Sequence, residues 1–188
     1  MSRALHLNVF EQPVTRHPTR LQNGRRVENH FFNNLFKGIP MIKHTFLFKE
    51  HTWIATGVYF DANNDPIPAA GETRIIHREH IWIIEGIMRV FGNRPQEIKN
   101  SYEIVPFGEN RVVTRWTSFN PALGTLSGSF MIVDDAIIST YCSETGEYAG
   151  TECLLHIDEG CYHVRGFALK GDEKLSSWSF ELKRKEHA

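Results

Sequence analysis

From Thr52 to Leu182 hydrophobic and polar positions alternate in short runs rich in Ile, Val, Thr, Trp, Tyr and Phe, and each run ends at a turn signal. A period of two is that of a strand with one face buried. The runs are "TWIATGVYFD", "ETRIIHRE", "HIWIIEGIMRVF", "IKNSYEIVPF", "RVVTRWTSF", "TLSGSFMIV", "AIISTYC", "YAGTECLLHI", "CYHVRGFALK" and "LSSWSFEL". Between them lie "ANNDP", "GNRPQ", "GEN", "NPALG", "DD", "SETGE", "DEG" and "GDEK", the Gly, Asn, Asp and Pro chemistry of tight hairpins. No connection reaches the dozen or more residues that a parallel crossover needs, so the pattern predicts an antiparallel meander of about ten strands.

The chain before residue 45 has a different texture. Pro13, Pro18, Gly24, Gly38 and Pro40 break it, and "RRVENHFFNNLFKG" carries Val27, Phe31, Phe32, Leu35 and Phe36 at helical spacing. This divides the chain into an irregular segment, 1–44, and a β domain, 45–188; the one short helix of the first packs on or caps the second. Ten strands left open would expose two long edges, and a meander relieves this by closing on itself or by splitting into two packed sheets. Closure is the expectation: an all-β, antiparallel up-and-down barrel, wide enough to enclose a cavity.

The first strand "HTWIATGVYFD" has Trp53 near its start, and the last ends on basic residues in "SFELKRK". With the preceding helical segment and the run of short hairpins, this resembles the calycin superfamily, the lipocalin and fatty-acid-binding-protein type of barrel. The resemblance covers about residues 45 to 185 as architecture. The lipocalin GxW triplet is not matched, since His51 stands where its glycine would be. The resemblance implies an arginine or lysine of the last strand, Lys183 or Arg184, over the face of Trp53.

Composition removes several classes of function. Among 188 residues, 41% are hydrophobic and 23% charged, with a formal net charge of -1, so nothing suggests binding to nucleic acid through phosphate contacts. No run approaches the roughly 18 to 20 apolar residues of a membrane span, and the N-terminus lacks the pattern of a signal peptide. These features predict a cytoplasmic protein and leave a homo-oligomer open. Cys142, Cys153 and Cys161 are odd in number with no CxxC pair, which argues against a disulfide framework or a cysteine-based zinc site.

Candidate chemistry is thinner. "GETRIIHREH" places Glu72, His77, Glu79 and His80 in one short span, where a histidine and a carboxylate at a barrel mouth could move a proton. In an extended chain His77 and His80 face opposite sides, so no joint metal site is expected of them. Across a Glu159-Gly160 turn, His156 would lie opposite His163 on an outer, polar face with Glu152 and Arg165, while Cys153, Leu155, Ile157, Tyr162, Val164 and Ala168 face inward. Similar alternation turns Leu126, Phe130 and Ile132 inward on one strand, Trp178, Phe180 and Leu182 on another, and favours Trp116 inward with Arg115 outward.

The expected ligand-binding set is Tyr59, Trp82, Tyr102, Trp116, Phe130 and Trp178, with Arg115 to receive a carboxylate; Arg74 and Arg165 are the other arginines that could do so. The leading reading is a binding protein for a small apolar or amphipathic molecule. The alternatives are an isomerase, cyclase or lyase on the same barrel, working through the His and Glu residues above, and a haem-binding barrel with His80, His156 or His163 as axial ligand. No metal site and no cofactor other than that haem is predicted. GxSxG, P-loop, GxGxxG, HExxH and EF-hand motifs are all missing from the sequence.

Overall fold

A computed structural model describes residues 44–186. The helix expected in the first 44 residues lies outside them. The chain divides into two units, Met1–Ile39 and Pro40–Ala188, and every described residue belongs to the second.

That unit contains ten strands: β1 (Thr52–Phe60), β2 (Pro66–His77), β3 (Trp82–Val90), β4 (Gln96–Ile104), β5 (Val113–Asn120), β6 (Gly124–Val133), β7 (Ala136–Ser143), β8 (Tyr148–Asp158), β9 (Cys161–Lys170) and β10 (Glu173–Arg184). Each of the ten runs read from the alternation becomes one of them. Every strand pairs antiparallel with its neighbours in sequence, and β10 pairs with β1, so the sheet is a closed barrel. The turns use the residues expected of them: Asp134, between β6 and β7, has φ 50°, and Gly124, Gly146 and Gly171 take left-handed φ at the other end of the barrel.

Closure assigns every side chain to one of two faces. Trp53 is fully buried, and register carries the inward face from it to Thr73, Gly86, Asn100 and onward around the wall. Leu126, Phe130 and Ile132 on β6 and Trp178, Phe180 and Leu182 on β10 fall on that face, as their alternation predicts. Trp116 is buried and Arg115 exposed.

β8 is the strand whose faces are reversed from expectation. Asp158 lies opposite Cys161, as a Glu159-Gly160 turn requires, but the next registered pair is His156 with Tyr162. Ile157 is therefore an extra residue, a β-bulge, and one extra residue exchanges the two faces of the strand beyond it. Leu155 and Ile157 point outward, 37% and 47% exposed, while Leu154 is buried. Glu152 and His156 point inward, and His163 stands opposite Leu155 instead of His156.

Residues 44–51 close the end of the barrel at which β1 begins, and they bond to successive hairpins around that rim. His44 Nε2 meets the Asp134 carbonyl at 3.0 Å, and the Thr45 hydroxyl donates to the Glu159 carbonyl at 2.9 Å. The Tyr162 hydroxyl, reaching down from β9, accepts from the backbone N–H of Thr45 (2.8 Å) and of Phe46 (3.3 Å). Phe46, His51 and Tyr162 surround Trp53, with ring centroids 5.6, 6.3 and 5.5 Å away. Arg184 is the register partner of Trp53, but its side chain is exposed, and Lys183 pairs with Glu181. Among the described residues the cation–π contacts are those of Lys170 with Tyr148 and Lys174 with Phe60, so the floor aromatics take the place expected of a stacked cation.

Two substitutions measure this floor. Trp53→Ala should cost about 3–5 kcal/mol in chemical denaturation, as truncation of a core tryptophan does, and a loss below about 1 kcal/mol would contradict its burial. Tyr162→Phe removes the acceptor from two buried N–H groups and should cost about 1–3 kcal/mol by the same measurement, with faster amide exchange at Thr45 and Phe46.

Candidate functional site

Inward side chains that remain partly accessible show where a closed barrel is not filled. Tyr59, Tyr102, Tyr141, Glu152 and Trp178 all face inward and are only half-buried, whereas Trp53, Ile104, Leu154 and Tyr162 nearer the floor are fully packed. The open space thus lies above the floor, and its wall is aromatic. Tyr102 meets Trp116 edge-on at 4.8 Å, and Tyr141 and Phe130 each lie 6.0 Å from Trp116.

Glycine makes room for these rings. Trp116 is registered with Gly128, Tyr141 with Gly150 and Trp178 with Gly166. A methyl group added at any of the three glycines would overlap the ring beside it. Each ring therefore lies flat across the neighbouring strand and does not project into the lumen, the close approach that an inward glycine permits.

Glu152 is the carboxylic acid of this wall. It belongs to a registered row that runs Tyr59, Trp178, Gly166, Glu152, Ser139 and Phe130 across six strands. Its Oε2 accepts from Trp178 Nε1 at 2.7 Å, and Ser139 accepts from Trp116 Nε1 at 3.2 Å, so both indole N–H groups are held against the wall. Among the described residues no cation pairs with Glu152. Desolvation raises its pKa above the ordinary carboxylate value, and the Trp178 N–H offsets only part of that. The half-exposure of Glu152 is exposure to the lumen, which explains why it is desolvated all the same. Burial, with the Glu152 charge nearby, pushes the Tyr141 phenol up to about 12 and raises Tyr102 further still.

The residues singled out in the sequence fall into separate places. Tyr59, Tyr102, Trp116, Phe130 and Trp178 line or back the lumen. Trp82 instead sits at the floor, stacked on His77 at 4.2 Å and beside Phe48 and Phe107. Arg115 lies on the outer face of β5.

His77, Glu72, Glu79 and His80 do not share a surface. His77 Nε2 bonds the Leu47 carbonyl at 2.8 Å and the His77 backbone N–H donates to the Glu50 carboxylate, which ties the floor segment to β2. Glu72 faces outward and accepts from Lys185 at 2.9 Å. Glu79 and His80 are exposed in the turn after β2, 3.6 Å apart. Of the three histidines named as haem ligands, His156 is packed in the floor, with Tyr162 5.2 Å and His44 5.8 Å away, His163 is on the outer wall, and His80 is in that turn.

Glu152 faces inward, opposite to the side expected from the sequence. On β8 the set Ala149, Cys153, Leu155 and Ile157 is more apolar than Gly150, Glu152, Leu154 and His156, so alternation alone turns the acid outward. The glycines carry the contrary signal: 57, 71, 86, 128, 150 and 166 all fall on the inward rows.

No family model and no curated protein matches the sequence. Among solved structures, the S-type phycobiliprotein lyase CPES from Guillardia theta superposes with a TM-score of 0.55 at 9% identity, over 74% of this chain and 90% of that one. This is a likeness of fold. A protein from Nitrosomonas europaea, provisionally named AttH, aligns with a TM-score of 0.31 at 10% identity over 78% of this chain and 54% of its own, too low to carry an argument.

The Glu152 shift has a stability consequence. Between its unfolded and folded pKa values the folded chain binds more protons than the unfolded one, so this group's contribution to stability falls as pH rises through that window and is level above it. Glu152→Gln keeps an acceptor for Trp178 and removes the titration. In urea unfolding at stepped pH, the variant should gain on the native chain from acid towards neutral pH; a difference that stays constant would mean that the carboxyl ionises as readily inside as in the unfolded chain.

Proposed function

We propose that this protein is a calycin-type binding barrel that holds a small, flat, amphipathic molecule above its floor. The body of the ligand lies along Tyr102, Trp116, Tyr141 and Trp178, and a cationic or N–H donor group meets Glu152. The observation that carries the reading is a carboxyl that faces an aromatic lumen with one oxygen on Trp178 and, among the described residues, without a counter-cation. Such a group is costly to keep unless a ligand completes its hydrogen bonding. Entry is assigned to the seam between β4 and β5, which have three registered pairs, Tyr102 with Ser118, Glu103 with Thr117 and Ile104 with Trp116, of which the first and last face inward.

The likeness to a phycobiliprotein lyase is one of fold and transfers no substrate, but it suggests a first probe. A linear tetrapyrrole is flat and conjugated and presents pyrrole N–H donors, the chemistry that Glu152 lacks. A second reading, proton-transfer catalysis by an isomerase or lyase, is favoured by the same carboxyl, which faces the lumen and which desolvation holds above the ordinary glutamate value. We place the protein in the cytoplasm, in keeping with three free cysteines and, among the described residues, no helix long and apolar enough to cross a membrane.

Biliverdin titrated into the full chain should quench tryptophan fluorescence with saturation. Glu152→Gln should weaken binding by roughly tenfold to a hundredfold, the size of a hydrogen bond to a charged group. Native mass spectrometry of the protein as purified would reveal a ligand already bound. Affinity unchanged by both Glu152→Gln and Trp178→Leu would place any binding elsewhere than the lumen.

A further inference from the structure

We propose that Cys161, His163 and Glu181 form a binding site for a zinc-class divalent ion on the outer wall of the barrel, separate from the lumen. Cys161 and His163 lie two apart on β9 and so share a face. On β10, Glu181 stands directly opposite His163 and Lys183 opposite Cys161. Tyr162 and Leu182, the buried residues between them, point inward, which turns this quartet out.

The three ligand atoms lie within 4.8 Å of one another. Glu181 Oε2 is 3.8 Å from His163 Nε2 and 4.0 Å from Cys161 Sγ. With bonds of about 2.0 to 2.3 Å in a tetrahedral site, donor atoms sit roughly 3.3 to 3.6 Å apart. The widest separation, up to 4.8 Å, has to close by about 1.2 to 1.5 Å, shared between side chains that turn on a backbone pinned by the β9–β10 ladder.

The donor set selects the ion. A thiolate, an imidazole and a carboxylate together suit a borderline-soft metal, and discriminate against calcium and magnesium, which require several oxygens. Three protein ligands leave a fourth position for water or an exchangeable molecule.

Glu181 is already a cation-binding group. Its Oε1 holds Lys183 Nζ at 2.8 Å, while Oε2 is the oxygen turned towards Cys161 and His163. Metal binding would displace the Cys161 thiol proton to solvent. Lys183 thus competes electrostatically with the ion for this carboxylate.

Cobalt(II) titration of the full chain tests the site, because thiolate ligation gives a near-ultraviolet charge-transfer band and four-coordination gives visible bands. In a Cys142→Ser, Cys153→Ser background Cys161 is the remaining thiol. The native triad should bind one equivalent with the thiolate band, and zinc should displace it. His163→Ala and Glu181→Gln should each weaken binding by about tenfold or more, since even indirect partners of metal ligands contribute that much. Lys183→Gln should strengthen it, a gain that misfolding could not imitate. A cobalt complex with no thiolate band, or an affinity indifferent to His163→Ala, Glu181→Gln and Lys183→Gln, would overturn the proposal.

Discussion

The pairing of β1 with β10 is the constraint on which everything else in the barrel rests. Eight registered pairs, from Trp53 with Arg184 to Phe60 with Ser177, remove the two open edges that a ten-stranded meander would otherwise present. Once they form, no strand can slip alone, because a slip of one residue would turn its whole buried face outward. The inward face is then a single connected set of rows, and the chemistry of the lumen is decided by which side chains those rows contain.

The rows contain too much aromatic surface for a solid core and too little bulk opposite it. Trp116, Tyr141 and Trp178 each lie against a glycine on the adjacent strand, so the rings coat the wall in place of filling the space. Near the floor the same rows carry Ile137, Leu154, Val164 and Leu182, which do fill it. Among the described residues the barrel is therefore fully packed at the end sealed by residues 44–51, and several of its inward side chains above are only half-buried. Glu152 sits on the aromatic part of the wall, where its desolvation is offset only partly by one indole N–H. A sequence selected for stability alone would place an apolar residue there.

Strand number, order and most inward faces were legible in the sequence because two signals agree: a period of two, and turn residues at every reversal. Phe130 and Trp178 could be assigned to the lumen side on alternation alone. β8 could not be read in this way, since Leu154 and Leu155 are adjacent and offer either face an apolar residue. What decides between them is the extra residue Ile157, and a bulge leaves no mark in an alternation pattern that is already ambiguous. The floor was illegible for a different reason: His44, Thr45 and His77 act through backbone carbonyls and N–H groups, partners that no side-chain pattern names.

That single residue also decides which β8 side chains face the interior. Had β8 kept regular register, His156 would stand opposite His163 on the outer wall, and Glu152 would face solvent. The bulge sends Glu152 into the lumen, where it becomes a desolvated acid, and sends His156 into the floor beside Tyr162 and His44. It leaves the outward direction of β9 untouched, because the extra residue is on β8 and β9 remains in register with β10 from Cys161 to Ala168. His163 accordingly loses a histidine partner and keeps the two it meets across the β9–β10 ladder and along its own strand, Glu181 and Cys161. The interior acid is thus a consequence of one irregularity, whereas the exterior donor cluster rests on the regular β9–β10 ladder and does not depend on it.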